Sequence, residues 1–120
     1  MKNLVSLERG DIIRVVFDPV RGHEQAGVRP ALVLSPEVIN RYYNTVMVAA
    51  ITSSPQEGDI PIEVTIQAPE GGLTRDSRIM LLQTRFIDKS RIIGRYGNVS
   101  EDTMAKVDAV LRIVSGLSRV

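Results

Sequence analysis

The sequence contains no cysteine. Disulfides, thiolate nucleophiles and zinc–thiolate centres are therefore excluded, and a reducing cytoplasm is the expected compartment. There is a single histidine, with no cluster of ligand residues around it, so no metal site and no cofactor are expected. Aromatic residues make up only 4%. A broad stacking platform of the kind single-strand binders use is not evident, and Tyr42-Tyr43 is the one aromatic pair. No apolar run approaches the roughly 20 residues of a membrane helix. The stretch from Met1 to Ile12 carries Lys2, Glu8, Arg9 and Asp11, which is not the pattern of a signal peptide. Charge of one sign is lacking too, the formal net charge being +1. Any binding of nucleic acid would thus depend on positive charge gathered on one face. Most of the 15 basic residues are arginine, the better side chain for two-pronged contact with phosphate.

What is present has the composition of a soluble globular protein, with 43% hydrophobic and 24% charged residues over 120 positions. That length is one domain, residues 1–120, able to bury one sizeable core without staples. The pattern is mostly short strands. Ile12 to Phe17 alternates, with Ile13, Val15 and Phe17 on one face and Arg14 on the other. Ala31 to Leu34 and Val46 to Ile51 are continuous apolar runs that read as buried strands. Ile62, Val64 and Ile66 alternate with Glu63 and Thr65 as a half-buried strand. Ile79 to Leu82, Phe86-Ile87 and Ile92-Ile93 read as three further short ones, and a helical turn is expected near Glu37 to Asn40. The chain then changes period. Ser100 is a good N-cap, Glu101 and Asp102 suit the first turn, and Met104, Val107, Leu111 and Val114 recur at helical spacing. An amphipathic helix is predicted over 101–117. Thr103 stands where the glutamate of a capping box would be. Strands closed by one helix predict a mainly β fold, a small bent barrel with the helix packed across it.

The connection from Pro19 to Pro30 is long for a compact domain. It holds the only histidine, His23, with Arg21, Glu24, Gln25 and Arg29. Long polar loops on rigid barrels are where sites sit, although a solvated surface loop has the same composition. Thr52 and Ser53 follow the buried run Val46 to Ile51, so their hydroxyls should emerge at a strand end. Ordinary turn chemistry at Ser53-Ser54-Pro55 accounts for them equally well. Asp76 and Ser77 precede the run Ile79 to Leu82, and Gln83 and Arg85 follow it.

Several of these segments together resemble the MazF/PemK family of toxin endoribonucleases. They are Arg9-Gly10-Asp11-Ile12, Phe17-Asp18-Pro19, Gly22-His23-Glu24-Gln25-Ala26-Gly27-Val28-Arg29-Pro30, Val33-Leu34-Ser35 with Asn40, Ala50-Ile51-Thr52-Ser53, and Gln83-Thr84-Arg85-Phe86-Ile87-Asp88-Lys89. The resemblance is in register over almost the whole chain. It implies an SH3-like barrel, a homodimer, metal-independent cleavage of single-stranded RNA at short sequence motifs, and a cognate antitoxin whose flexible acidic tail covers the RNA groove. It implies catalytic roles for Arg29 and Thr52.

Metal-free cleavage of RNA uses the 2′-hydroxyl as nucleophile. It needs a base for that proton, an acid for the departing 5′-oxygen and a cation for the charge on the phosphorane. Arg29 suits the cation and Thr52 suits phosphate or 2′-hydroxyl positioning. His23 and Glu24 are the candidate proton movers, with Glu24 alternatively orienting Arg29 or holding the loop. Gln25, Ser53, Arg21, Asp76, Ser77, Gln83 and Arg85 are candidate RNA contacts. Base selection is assigned to the segments Ser53 to Asp59 and Pro69 to Asp76. One branch of the family carries a catalytic acid and arginine where this chain has Leu82 and Met80, so the general base is left open between Glu24, His23 and a further group. Two rival readings use the same barrel: a non-enzymatic toxin that poisons a topoisomerase, and a module that binds RNA without cutting it.

Overall fold

The computed structural model describes residues 6–17, 27–55 and 62–119. Six strands and two α-helices follow in the order β1 (Asp11–Val16), β2 (Val28–Val33), α1 (Glu37–Tyr42), β3 (Thr45–Thr52), β4 (Glu63–Ile66), β5 (Ser77–Asp88), β6 (Ile92–Asn98) and α2 (Glu101–Val114). All neighbours are antiparallel, in the spatial order β4-β5-β3-β2-β1-β6. The mainly β fold with a C-terminal helix is thus as the sequence predicts. No helix among the described residues is long and apolar enough to cross a membrane.

Both faces of the sheet are covered, which is why Val46 to Ile51 is apolar without alternation. Ile12, Leu32, Ala49, Ile51, Ile79 and Leu81 belong to one cluster, and Met104, Val110, Leu111 and Val114 of α2 pack against it. Val107 of α2 is fully buried there, a burial that stabilises by about 1.5–3 kcal/mol. Ile13, Val15, Phe17, Ala31, Val33, Val46 and Val48 form the second cluster on the opposite face. Alternation along β1 is therefore as expected, with Ile13, Val15 and Phe17 together.

Two of the short strands expected at Ile79 to Leu82 and Phe86-Ile87 are one. β5 runs unbroken for 12 residues. The polar break at Gln83-Thr84 is a bulge, not a turn. Between the pairs Ala50↔Met80 and Ala49↔Thr84, β3 advances one residue and β5 advances four. The Thr84 hydroxyl donates to the Leu81 carbonyl across the bulge, 2.6 Å. The slip turns the strand over, so that Ile79 and Leu81 enter the first cluster and Ile87 the second. The terminal helix stops at Val114 rather than 117. Gly116 takes φ +82° and its N–H bonds the Ile113 carbonyl at 3.1 Å, a left-handed C-terminal stop.

The expected barrel does not close through hydrogen bonds among the described residues: β4 and β6 are both edges. The β4–β5 connection fills the gap. Its short 3-10 turn, Glu70–Gly72, lies against β6 so tightly that a Cβ on Gly72 would sit 2.1 Å from the Tyr96 carbonyl oxygen. Gly71 and Gly72 also adopt φ +70° and +80°, a region other residues seldom enter.

The same turn docks α2. The Glu70 carboxylate accepts from the Ser100 N–H at 3.0 Å and the Thr103 hydroxyl at 2.6 Å, while Ser100 Oγ accepts from the Thr103 N–H at 3.1 Å. The carboxylate missing from the local capping box is supplied from 30 residues upstream. The Thr103 hydroxyl first, then the Ser100 N–H, hold the Glu70 carboxyl below its usual pKa, against the opposing effect of burial.

Two outcomes are expected. Glu70→Ala should lower the unfolding free energy by about 1–2 kcal/mol, the usual cost of a lost cap. Because the folded pKa is depressed, the contribution is whole at neutral pH and fades as pH falls below the ordinary carboxylate value. Urea midpoints measured from neutrality to acid should therefore converge for the parent and Glu70→Gln, which keeps an acceptor oxygen but does not titrate. Separately, Gly72→Ala should cost at least about 2 kcal/mol through clash and φ strain together, whereas Gly116→Ala, with no atom within 4 Å of its Cβ, should cost less on the same thermal-melting scale.

Candidate functional site

The site opens where two central strands part. β2 and β3 are paired only at Ala31↔Ala50, Leu32↔Ala49 and Val33↔Val48. Beyond these, β2 remains on β1 and β3 remains on β5. Pro30 has no N–H with which to carry the ladder further. A groove of about 250 Å³ occupies the opening. Arg29 and Pro30 form one wall and Ile51 to Ser54 the other, while Leu73 to Arg75 and Tyr96 close the far side. Side chains alternate along a strand. Arg29 and Thr52, each two residues beyond the last pair Ala31↔Ala50, therefore share the face of that pair, and both line the groove.

Their surroundings differ. Arg29 is exposed and Thr52 is 9% exposed. Thr52 Oγ1 accepts from the Ser54 N–H at 3.2 Å, so the turn chemistry expected of this segment is present. A hydroxyl whose oxygen is engaged in this way still has its proton to donate outward. Ser53 is exposed on the same rim.

Asp76 and Ser77 build the far wall from behind. The Asp76 carboxylate accepts from the Ala68 N–H at 2.9 Å, and the buried Ser77 hydroxyl donates to the Arg75 carbonyl at 2.9 Å. Both hold the loop that presents Arg75. Gln83 and Arg85 do not reach the groove. Arg85 pairs with Val48 and Arg78 with Thr52, so Arg85 lies roughly 13 Å along β3 from the site. Its guanidinium stands over the Phe17 ring, 5.4 Å from the centroid, and Gln83 Nε2 is 3.6 Å from Met80 Sδ. Met80 packs on the second cluster and Leu82 is exposed; neither side chain can move a proton.

Arg21, His23, Glu24 and Gln25 lie outside the described residues, as does Gln56 to Pro61, which includes most of the predicted segment Ser53 to Asp59. The two ends of the 18–26 connection are fixed. The Phe17 N–H donates to the Gly27 carbonyl at 2.6 Å, and Arg91 donates to the carbonyls of Val16 and Phe17 at 3.1 and 2.5 Å. Val28, next to Gly27, already lines the groove.

Four groups escape a reading by local pattern. Arg75 falls inside a segment assigned to base selection but was not singled out. Tyr96 sits between Gly94 and Gly97 on a strand read only from Ile92-Ile93, and that pair of glycines around an aromatic was the available signal. Arg78 and Glu63 form an ion pair at 2.8 Å with side chains 16% and 12% exposed; no local signal marks it. Among the described groove-lining residues there are two arginines, three serines and two threonines, and no carboxylate or imidazole. Such a groove suits an anion held by guanidinium and hydroxyl donors. A larger cleft of about 770 Å³ lies beside α1, but its charges are mixed and largely internal. Arg41 pairs with Glu37 at 3.0 Å, and Arg9 bonds the Leu34 carbonyl at 2.7 Å and Asp108 at 2.5 Å.

Similarity to known proteins agrees with this geometry. Residues 8–115 match the family described as PemK-like, MazF-like toxin of type II toxin–antitoxin system. The chain is 42% identical over 107 residues to Endoribonuclease EndoA of Bacillus subtilis (strain 168), covering 89% of this chain and 92% of that protein. It is 39% identical over 112 residues to Endoribonuclease MazF of Staphylococcus epidermidis, covering 93% of each. Among solved structures it resembles MazF from Deinococcus radiodurans, with TM-score 0.73, 31% identity and coverage of 92% and 96%. It also resembles a MazE–MazF complex from the same organism, with TM-score 0.75, 31% identity and coverage of 93% and 97%. The chain belongs to the PemK-like, MazF-like toxins of type II toxin–antitoxin systems.

Proposed function

We propose that this toxin is an endoribonuclease that cuts single-stranded RNA by 2′-hydroxyl attack, without a metal, in the groove between β2 and β3. The observation that carries the reading is that Arg29 and Thr52 line the same groove, whose described lining has no acid. A phosphodiester in that groove would receive the Arg29 guanidinium on its non-bridging oxygens and the Thr52 proton beside them. Both donors are worth most when charge grows on the phosphorane, so they favour the transition state over bound RNA. Bond formation from the 2′-oxygen to phosphorus expels the 5′-oxygen and leaves a 2′,3′-cyclic phosphate and a 5′-hydroxyl.

Thr52 is the wrong group to take the 2′-proton, because a neutral hydroxyl is a poor base and an accepted N–H makes its oxygen poorer still. That role belongs to the 18–26 connection, to His23 or Glu24, with Gln25 and Arg21 as RNA contacts beside them. Ser53 contacts RNA from the rim. Arg75, unlike Gln83 and Arg85, stands where a neighbouring phosphate would pass. A flexible acidic antitoxin tail would occupy the same basic groove and exclude RNA by charge. Homodimerisation and a cytoplasmic location complete the reading.

Purified protein incubated with a long single-stranded RNA in EDTA should give discrete cuts with 5′-hydroxyl ends. RNA carrying 2′-deoxy substitutions at the cut positions should survive. Arg29→Ala should slow cleavage by about 10²-fold or more, and Thr52→Val by about tenfold or more, with Thr52→Ser close to the parent. Salt-dependent binding that leaves the RNA intact would replace the ribonuclease with an RNA-holding module. No binding and no cutting would point to a toxin that acts on a protein target.

A further inference from the structure

Arg78 has no place in the reaction just described, yet it is tied to it by hydrogen bonds. It pairs directly with Thr52 across β3 and β5. Its Nη1 is 2.8 Å from the Glu63 carboxylate, and its Nε donates to the Ser54 carbonyl at 3.0 Å. The Ser54 N–H in turn donates to Thr52 Oγ1 at 3.2 Å. Ser54 is therefore held on both sides, its carbonyl by Arg78 and its N–H by Thr52. Glu63 lies diagonally across the β4–β5 ladder from Arg78, since Glu63 pairs with Met80 and Thr65 with Arg78. Both side chains of the ion pair are largely buried, at 16% and 12% exposure. The ladder alone joins β4 to β5 through four residue pairs, so a buried charge is not needed to hold those strands together.

From this chain of contacts we infer that Arg78, oriented by Glu63, is a positioning residue that fixes the Thr52–Ser54 turn and thereby aims the Thr52 hydroxyl into the groove. The inference rests on the reading of the groove as the cleavage site. Arg78 does not contact the reacting atoms in this scheme; it acts through the Ser54 peptide. Ser53 and Ser54 are exposed, and without a fixed Ser54 N–H the Thr52 hydroxyl could take another staggered rotamer; a misaimed donor loses its advantage in the transition state. A guanidinium is suited to the task because its planar fork serves a carboxylate and a carbonyl at once, which a lysine ammonium does with poorer geometry.

The test combines kinetics with a spectroscopic readout on the full chain. Arg78→Met should lower kcat about tenfold and leave KM within about twofold. Arg78→Lys should recover part of the loss. In a Thr52→Val background, Arg78→Met should change kcat less than about twofold, because its effect passes through Thr52. Glu63→Leu/Arg78→Met replaces the ion pair by apolar groups and should melt near the parent while staying slow, which separates aim from folding. The three-bond Hα–Hβ coupling of Thr52 should report one rotamer in the parent and an averaged value in Arg78→Met. Parent kcat in Arg78→Met, an equal loss with and without the Thr52 hydroxyl, or an unchanged coupling would each overturn the assignment. Failure of the parent to cut RNA would instead overturn the cleavage reading, and the coupling would still decide whether Arg78 sets the turn.

Discussion

Backbone meets backbone where Gly71 and Gly72 press on Tyr96 and Gly97, and the shape of the groove depends on that contact. An antiparallel sheet of six strands has two edges, and neither β4 nor β6 finds the other through a ladder. The β4–β5 connection spans the gap only because three positions carry no side chain. A Cβ on Gly71 would meet Ile12 Cδ1 at 2.3 Å, one on Gly72 the Tyr96 carbonyl at 2.1 Å, and one on Gly97 the Gly71 carbonyl at 2.9 Å. From that seam the connection continues as Leu73, Thr74 and Arg75, the far wall of the groove. In the other direction it delivers Glu70 to the start of α2. One close approach thus ties the wall of the site to the helix that covers the core.

Net charge says little about such a site. At +1 overall, the protein has no general attraction for a polyanion, and distant exposed charges are screened within about 10 Å at moderate salt. What counts is how the acids are disposed. Asp11 is buried against Arg95 at 3.0 Å, Asp108 pairs with Arg9, Glu37 with Arg41 and Glu63 with Arg78. Asp76 and Glu70 accept N–H groups of the backbone. Among the described residues, then, these carboxylates are paired or hydrogen-bonded and none lines the groove, where the charged side chains are Arg29 and Arg75.

Legibility from the sequence followed the range of the interactions. Ile12 to Phe17, Val46 to Ile51 and the 3.6-residue spacing from Met104 to Val114 depend on period alone, and they were readable. The bulge in β5 was not, because a polar pair inside an apolar run looks the same whether the strand ends or slips register. Arg29 and Thr52 came as candidates from the resemblance of Val28-Arg29-Pro30 and Ala50-Ile51-Thr52-Ser53 to a family, and both line the groove. Arg75, Tyr96 and the Glu63–Arg78 pair come from segments that meet only through sheet order, so no window of neighbouring residues contains the reason for them. The N-terminus of α2 shows the same limit. Thr103 in place of glutamate reads locally as a weaker cap, while the carboxylate arrives from Glu70.

The chemistry divides along the same line. The groove walls carry the donors that the proposal uses: a guanidinium at Arg29, a hydroxyl at Thr52 backed by Ser54, and a second guanidinium at Arg75. A guanidinium has no acceptor and a neutral hydroxyl is a poor base, so none of them is a general base. Donors of this kind act on charge as it develops, and each contributes about 10²–10³ in rate when its geometry is fixed in advance. General acid–base help contributes a comparable 10²–10⁴ but tolerates looser placement, since a proton can pass through one water. The proposed scheme accordingly puts the base on the connection between β1 and β2 and the charge-stabilising donors at the strand ends. It also explains how the chain can carry Met80 and Leu82 where one family branch has an arginine and an acid. In the proposed scheme the stabilising charge lies with Arg29 at the parting of β2 and β3, and the arginine on β5 that matters, Arg78, is given over to aiming Thr52.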